Sequence, residues 1–249
     1  MAEISEVIDV DAIQYARNTL RQAIAVALGD DLQACYQQLN VIEPYEATAD
    51  AIARRDLKNT ALQYLMLLDD AAITEQCCQQ FALANNMTDK MAALTALVHH
   101  GGDHLQAKRQ QALSSFYDQW QHEPLVVNEW LSVQASVPSV DTLAAVKELM
   151  THQCFSLTNP NKVRALLGSF TRNMLAFHQA SGEGYRFLGE QIIALNSLNP
   201  QIAARMLTPL TRWRKYDDAR QKMMRSVLLT IRDTPKLSKD VFEVVDKSL

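Results

Sequence analysis

The chain has 249 residues and a formal net charge of −4 at pH 7, with 48% hydrophobic and 21% charged residues. This composition is too apolar for a disordered protein, and the mild acidity disfavours a dedicated nucleic-acid binder, which usually carries a basic face. Seven glycines and seven prolines are about half the usual share, so the turns of a many-stranded β-protein are lacking. The composition favours an all-helical fold.

The first residues of the chain, MAEISEVIDVDA, are polar and acidic and lack the apolar core of a secretory signal. No segment approaches the roughly 18 to 20 apolar residues that cross a bilayer. We therefore expect no membrane contact and a cytoplasmic location. We interpret residues 1–10 as an N-terminal arm or linker and residues 11–249 as a single helical domain.

The four cysteines fit neither a disulfide framework nor a paired zinc-binding motif. They are Cys35, Cys77, Cys78 and Cys154. Because unpaired cysteine is usually buried, we interpret them as small core residues of a protein from a reducing compartment.

Apolar residues recur at steps of three and four in several segments, which is the spacing of a buried helix face. The clearest series are Met91, Leu94, Leu97 and Val98; Tyr185, Leu188, Ile192 and Leu195; and Met223, Met224, Val227, Leu228 and Ile231. Strand-like alternation over more than four residues is rare. The pattern predicts helices along the chain.

Three prolines mark helix starts. Pro124, Pro160 and Pro200 each precede an apolar-periodic run, and the last two follow Asn159 and Asn199. Asparagine is a good N-cap and proline suits the first helical position. A recurrence of about 40 residues is typical of HEAT or armadillo repeats, so we predict a superhelix of paired antiparallel helices, with an irregular helical bundle as the alternative.

No catalytic signature occurs: the sequence has neither a zinc-binding H-E-x-x-H helix, a phosphate loop nor a nucleophile elbow. The histidine cluster of residues 99–104, HHGGDH, has two interpretations. It is either a helix C-terminus stopped by glycine or a metal site with Asp103 as a further ligand. The first is favoured, and we predict no catalytic and no metal-binding residue in this chain.

Cations concentrate late in the chain, with aromatic residues between them, a combination that occurs in single-strand binding surfaces. They are Arg212, Arg214, Lys215, Arg220, Lys222 and Arg225, interleaved with Trp213 and Tyr216. Asp217 and Asp218 interrupt the group, and helical phase spreads the cations around the axis. We interpret them as a solvated helix face and expect no nucleic-acid partner.

Two other arginines are stronger site candidates. Arg164 and Arg205 lie in the second turn of the Pro160 and Pro200 helices, at nearly equivalent repeat positions. Both are expected to face one concave surface, where the planar guanidinium suits a carboxylate or a backbone carbonyl. The alternative is an ion pair between repeats.

A series of sequence strings resembles the C-terminal domain of the bacterial aminopeptidase N family, zinc exopeptidases of the gluzincin type. The strings are LKNTALQYL (57–65), NNMTDKMAAL (85–94), FYDQW (116–120), LVVNEWLSVQA (125–135), NPNKVRALLGSF (159–170), FH (177–178), GYRFL (184–188), NPQIAARM (199–206) and LSKDVFEVVDKSL (237–249). The resemblance extends from about residue 11 to residue 249.

The resemblance implies a non-catalytic domain that encloses the active-site chamber of a parent enzyme and borders the route by which peptides enter. The family's H-E-x-x-H and G-A-M-E-N strings lie in a preceding domain and are absent here, so zinc belongs to the parent and none to this chain. Arg164 and Arg205 resemble family arginines that face the chamber. The implied partners are the parent's own catalytic domain and peptide substrates.

A second hypothesis comes from a different functional class. An autonomous helical-repeat scaffold would bind a peptide or a protein on its concave face. A large exposed apolar surface on the chain favours the enzyme domain, whereas polar outer faces at both ends favour the scaffold.

Overall fold

The computed structural model describes residues 5–41, 43–100 and 102–249, with the side chain of Asp103 excluded. Helices make up 76% of these residues, which form no β-strand, and this confirms the all-helical prediction. An isolated bridge pairs Ile8 with Tyr216. The chain divides into two compact units, residues 16–120 and residues 1–15 with 121–249, here called the first and the second unit.

Helix α1 (Val10–Ala27) contributes residues to both units, and five further helices build the first unit. They are α2 (Gly29–Leu39), α3 (Ala49–Leu65), α4 (Ala71–Leu83), α5 (Met87–His99) and α6 (Gln106–Trp120). Consecutive helices pack in pairs, α2 with α3 and α4 with α5.

The second unit contains ten α-helices among its described residues. They are α7 (Pro124–Ala135), α8 (Thr142–Leu149), α9 (Pro160–Val163), α10 (Ser169–Arg172), α11 (Met174–Phe177), α12 (Glu183–Leu198), α13 (Pro200–Met206), α14 (Thr208–Thr211), α15 (Asp218–Arg232) and α16 (Lys239–Ser248). The longest of them are α7, α12 and α15. A π-helix, Arg164–Gly168, joins α9 to α10. Helix α12 packs against α13 and α15, and α16 packs against α13.

The predicted helix starts are confirmed. Pro124, Pro160 and Pro200 are the first residues of α7, α9 and α13. Asn159 Oδ1 accepts from the backbone N–H groups of residues 161 and 162, and Asn199 Oδ1 accepts from that of residue 202. These bonds satisfy N–H groups that the first turn of a helix leaves without partners.

The core of the second unit contains an aromatic cluster. Phe170 is fully buried, and its ring meets those of Phe177 and Phe187 edge-on at centroid distances of 5.8 and 5.6 Å. The predicted α12 stripe reaches this cluster through Tyr185, whose ring lies 5.2 Å from that of Phe177, and all four α12 residues of the stripe are buried. Edge-to-face geometry stabilises such a cluster beyond the area that it buries.

A buried ion pair organises the first unit. Lys58 Nζ lies 2.7 Å from Asp89 Oδ2, and Asn59 donates to Asp89 Oδ1 at 2.9 Å. Gln80 donates to Asn59 and accepts from the Tyr36 hydroxyl, which completes the network. The hydrogen bonds from Lys58, Asn86 and Asn59 outweigh burial and hold the pKa of Asp89 below its ordinary value.

Arg220 corrects the prediction of a solvated cationic face. Its side chain is buried, with Nε donating to the His178 carbonyl at 2.9 Å and the two Nη atoms pairing with Asp217 and Asp11 at 2.8 and 2.9 Å. Arg214 is exposed, in agreement with the prediction, and also donates to backbone carbonyls of the last two residues. The position of an arginine within a basic run of the sequence does not indicate which distant residues its side chain contacts.

His178 lies at the centre of a polar aromatic cluster. Its Nδ1 is 2.9 Å from the Tyr185 hydroxyl and its Nε2 is 3.2 Å from the Tyr216 hydroxyl. A neutral imidazole matches two hydroxyl groups because it has one donor and one acceptor. Burial, with a smaller contribution from Arg220, lowers the pKa of His178 to about 4, and Asp217 opposes the shift.

The cysteines follow the prediction only in part. Cys77 is buried and its thiol donates to the Ala93 carbonyl at 3.4 Å. The other three are half-buried, so they are not core residues, and all four are free thiols. Burial raises the pKa of Cys77, which keeps this thiol protonated.

The arm predicted for residues 1–10 includes described residues that are packed. Ile8 is buried, its N–H donates to the Lys215 carbonyl at 2.6 Å, and Val10 is the first residue of α1. The boundary at residue 10 and the single domain at 11–249 stay predictions.

Replacement of Phe170 tests the aromatic core. We expect Phe170→Ala to lower the free energy of unfolding by about 3–5 kcal/mol, because it removes a fully buried ring and leaves a cavity. Urea denaturation measures the change. Leu125→Ala on α7 is the control, since Leu125 is 75% exposed and its loss should change stability by less than about 0.5 kcal/mol. A loss below about 1 kcal/mol for Phe170→Ala would contradict the packing.

His178 makes stability depend on pH. Its folded pKa of about 4 lies below the ordinary value of 6.5, so its contribution is complete above pH 6.5 and is lost as pH falls toward 4. The expected loss is roughly 3 kcal/mol. Urea titrations between pH 7 and pH 4 should show a smaller pH dependence for His178→Gln than for the unmodified chain. Exposed His122→Gln should keep the full dependence. Parallel curves for all three would refute the assignment.

Candidate functional site

Arg205 lies in the second turn of α13, on a groove that this helix forms with α16. The side chain is exposed, and the groove has a volume of about 480 Å³. The remaining lining residues are Gln201, Ala204, Asp240, Glu243, Val244 and Lys247. None of the described residues forms a hydrogen bond or an ion pair with the Arg205 guanidinium, so its five N–H donors remain available for a ligand.

The local fold explains why Arg205 faces outward. Helix α13 begins at Pro200 with Asn199 as its N-cap. Its buried face consists of Ile202, Ala203 and Met206. Arg205 then lies outside this buried face, on an exposed flank of the seven-residue helix. The side chain position is therefore a consequence of the cap and of the apolar spacing.

The groove contains both signs of charge. Arg205 and Lys247 contribute two cations, and Asp240 and Glu243 contribute two carboxylates. Lys247 Nζ lies 2.6 Å from Glu243 Oε1, one helical turn away, and holds the pKa of that carboxyl below its ordinary value. Because Lys247 is paired with Glu243, Arg205 is the cation of this groove whose donors have no partner among the described residues.

Arg164 stands in a different setting. It is exposed, begins the π-helix Arg164–Gly168, and donates to the side chain of Asn161 one turn earlier. The π-helix lies against α7, where Ser132 Oγ donates to the Ala165 carbonyl at 3.1 Å. No described contact joins the two arginines, and the partner of Arg164 is an amide rather than the acidic residue of the ion-pair alternative.

Sequence reasoning missed the α16 side of the groove. The string LSKDVFEVVDKSL, which carries part of the family resemblance, contains Asp240, Glu243 and Lys247. The Glu243–Lys247 spacing of four residues is the local signal that indicates a charged, exposed helix face. The sequence around α16 does not indicate that this face packs near α13, because more than 30 residues separate the two helices.

The histidine cluster ends a helix. Helix α5 stops at His99, and His104 Nε2 lies 3.5 Å from Asp69 Oδ1. Burial, with smaller contributions from Arg21 and His99, lowers the pKa of His100 to about 4. Gly101 and the Asp103 side chain lie outside the described residues.

Zinc has no donor set in the part of the chain that the structure describes. No three histidine, cysteine, aspartate or glutamate side chains there converge as ligands, whereas a structural zinc site takes four and a catalytic one three. The described residues therefore do not fit the metal of the enzyme family that the sequence resembles. Across the same residues, no helix combines the length and the apolar character that crossing a bilayer requires.

Comparison with known proteins assigns the whole chain to one kind of domain. A family model described as "Domain of unknown function (DUF3458_C) ARM repeats" matches residues 1–249. Armadillo repeats are stacked helix units, so the match confirms the predicted helical-repeat fold.

Two curated relatives are named aminopeptidase N. The protein from Escherichia coli (strain K12) is 38% identical over 251 residues, and the one from Haemophilus influenzae is 38% identical over 249 residues. Both alignments cover 100% of this chain but 28% of the relative. This chain therefore spans little more than a quarter of the length of the curated relatives that it matches.

A solved structure, "Crystal structure of Legionella pneumophila aminopeptidase A in complex with aspartic acid", superposes with a TM-score of 0.89 at 33% sequence identity. The match covers 99% of this chain and 29% of that one. With the family model matching from the first residue to the last, the chain belongs to the DUF3458_C family of ARM-repeat domains.

Proposed function

We propose that this chain is the non-catalytic C-terminal domain of a zinc-dependent aminopeptidase that removes N-terminal residues from peptides. The observation that carries the proposal is the alignment of the entire chain with 28% of proteins named aminopeptidase N. The sequence itself lacks H-E-x-x-H, so the zinc and the catalytic groups belong to another domain of the parent. That domain is the intramolecular partner, and the parent enzyme is cytoplasmic.

Arg205 and Arg164 are the chamber-facing residues of this proposal. A peptide has a carboxylate at the end remote from the scissile N-terminal bond, and a guanidinium binds a carboxylate with two parallel hydrogen bonds. Arg205 has its donors free among the described residues, whereas Arg164 already donates to Asn161. Arg205 therefore binds the carboxylate, and Arg164 adds positive potential along the chamber wall.

The enzyme-domain function is also supported by an exposed apolar surface. Leu20 and Val26 on α1 are 62% and 66% exposed, although a soluble domain normally covers such residues when they lie on one helix face. This feature favours a domain separated from a partner over an autonomous scaffold. The interpretation of 11–249 as one domain after an arm at 1–10 belongs to the same proposal.

The isolated chain should show no peptidase activity and no stoichiometric zinc. The reason is the missing donor set and the missing catalytic motif. Elemental analysis after dialysis measures the zinc, and hydrolysis of an alanyl peptide measures the activity. The full-length parent is the positive control. Stoichiometric zinc or hydrolysis by the chain alone would overturn the division of roles.

Arg205 is tested in the full-length parent. Arg205→Ala should lower kcat/KM for peptides by roughly 10- to 150-fold, the value of one charge-assisted hydrogen bond of about 1.5–3 kcal/mol. A small chromogenic amide has no distant carboxylate and should lose far less. Arg205→Lys should restore part of the loss, because a point charge cannot reproduce the planar fork.

The matched control is Arg225→Ala on α15, which removes an exposed arginine outside the groove and should leave both substrates unaffected. Equal losses on peptide and amide would indicate disturbed domain packing. Unchanged kinetics on both substrates would show that Arg205 does not contact substrate.

A further inference from the structure

Helix α1 has little of its surface covered. All 18 of its residues are described, and the buried ones are Val10 and Ala25. Helices in proteins owe most of their stability to packing one amphipathic face. A partner that packs on the exposed side of α1 would therefore add to its stability.

One strip of the exposed surface of α1 is mostly apolar, with Thr19 as its polar member. Ala16, Leu20, Ala23, Val26 and Ala27 are all exposed, and they are here called the α1 face. At 100° per residue they occupy an arc of about 120°, which is the width of a helix stripe that packs against a core.

The other side of α1 is the one in contact with the first unit. The Arg21 guanidinium lies 5.8 Å from the centroid of the Tyr64 ring, and Ala25 is fully buried. These residues point away from the α1 face by more than 90° of helical rotation on average. The α1 face is therefore directed outward.

The α1 face continues into a groove of about 690 Å³ in the first unit. Val26 and Ala27 form one wall, and the carboxylates of Asp30, Asp31 and Asp70 lie along the lining. The other apolar side chains of the lining are those of Leu65, Leu68, Ala72 and Ile73. A surface of this kind matches a partner with apolar side chains at its centre and lysine or arginine at its edge.

We propose that the α1 face and this groove are the docking surface for the preceding part of the parent polypeptide. The inference rests on the proposed function, because the occupant is the remainder of the aminopeptidase. The chain matches 28% of its relatives, so about 72% of their length lies outside it and is available to cover α1. A second copy of the chain is a poorer occupant, since it would place an identical acidic rim against Asp30 and Asp31.

Hydrogen exchange of the α1 backbone amides tests the proposal. We expect residues 16–27 to exchange at least about tenfold more slowly in the full-length parent than in the 249-residue chain, because docking suppresses local opening. The chain alone is measured at two concentrations, with its mass determined by sedimentation.

The variant Leu20→Lys/Val26→Lys keeps good helix formers but sets two cations against the partner's apolar centre and basic edge. In the full-length parent it should return α1 exchange to within about threefold of the rate in the isolated chain. Leu125→Lys is the matched control, because Leu125 is 75% exposed but lies on α7, and it should leave the protection unchanged. The urea midpoint of the isolated chain should be the same for all three proteins.

Equal α1 exchange in the parent and in the isolated chain would overturn the proposal. Protection that appears in the chain alone as it dimerises would assign the surface to a second copy and overturn it as well. A parent that protects α1 but hydrolyses no peptide would refute the proposed function and leave the docking surface in place. A parent that hydrolyses peptides with α1 unprotected would refute the docking surface alone.

Discussion

The buried guanidinium of Arg220 joins three segments of the second unit. Its three nitrogen atoms bind the His178 carbonyl, Asp217 and Asp11, and the last of these lies 209 residues away in sequence. A buried charge is tolerated only when its donors are satisfied, so the three segments must meet at one point. The start of α1, the end of α11 and the start of α15 are thereby fixed together, and the bond from Ile8 to Lys215 extends the junction.

The first unit meets the same requirement with a different set of groups. Lys58 and Asp89 form an ion pair, and Asn59 donates to Asp89. Gln80 donates to Asn59 and accepts from the Tyr36 hydroxyl. Removing either charged partner would leave a buried charge unpaired, which is more costly than never having the pair. Two family strings, 57–65 and 85–94, supply both charged residues, so the resemblance falls on the polar core of this unit.

The candidate binding surfaces are formed by exposed residues that lie outside these two buried polar clusters. Arg205 stands on a short capped helix beside α16, and the α1 face lies on a helix whose other side packs on the first unit. One surface is suited to a carboxylate and the other to an apolar protein surface. Under the proposed function, this domain contributes to catalysis by positioning and enclosing the substrate, while the reacting groups are supplied elsewhere in the parent.

Local chemistry in the sequence determined the helices and their starts at Pro160 and Pro200, because a cap and its hydrogen bonds involve residues within one turn. The apolar spacing likewise determined which faces are buried. Only the tertiary structure decided that Arg220 is buried, that the segment 164–168 is a π-helix against α7, and that Arg205 shares a groove with α16. Each of these depends on partners more than 30 residues away, and the side-chain pattern around a residue contains no record of such distant contacts.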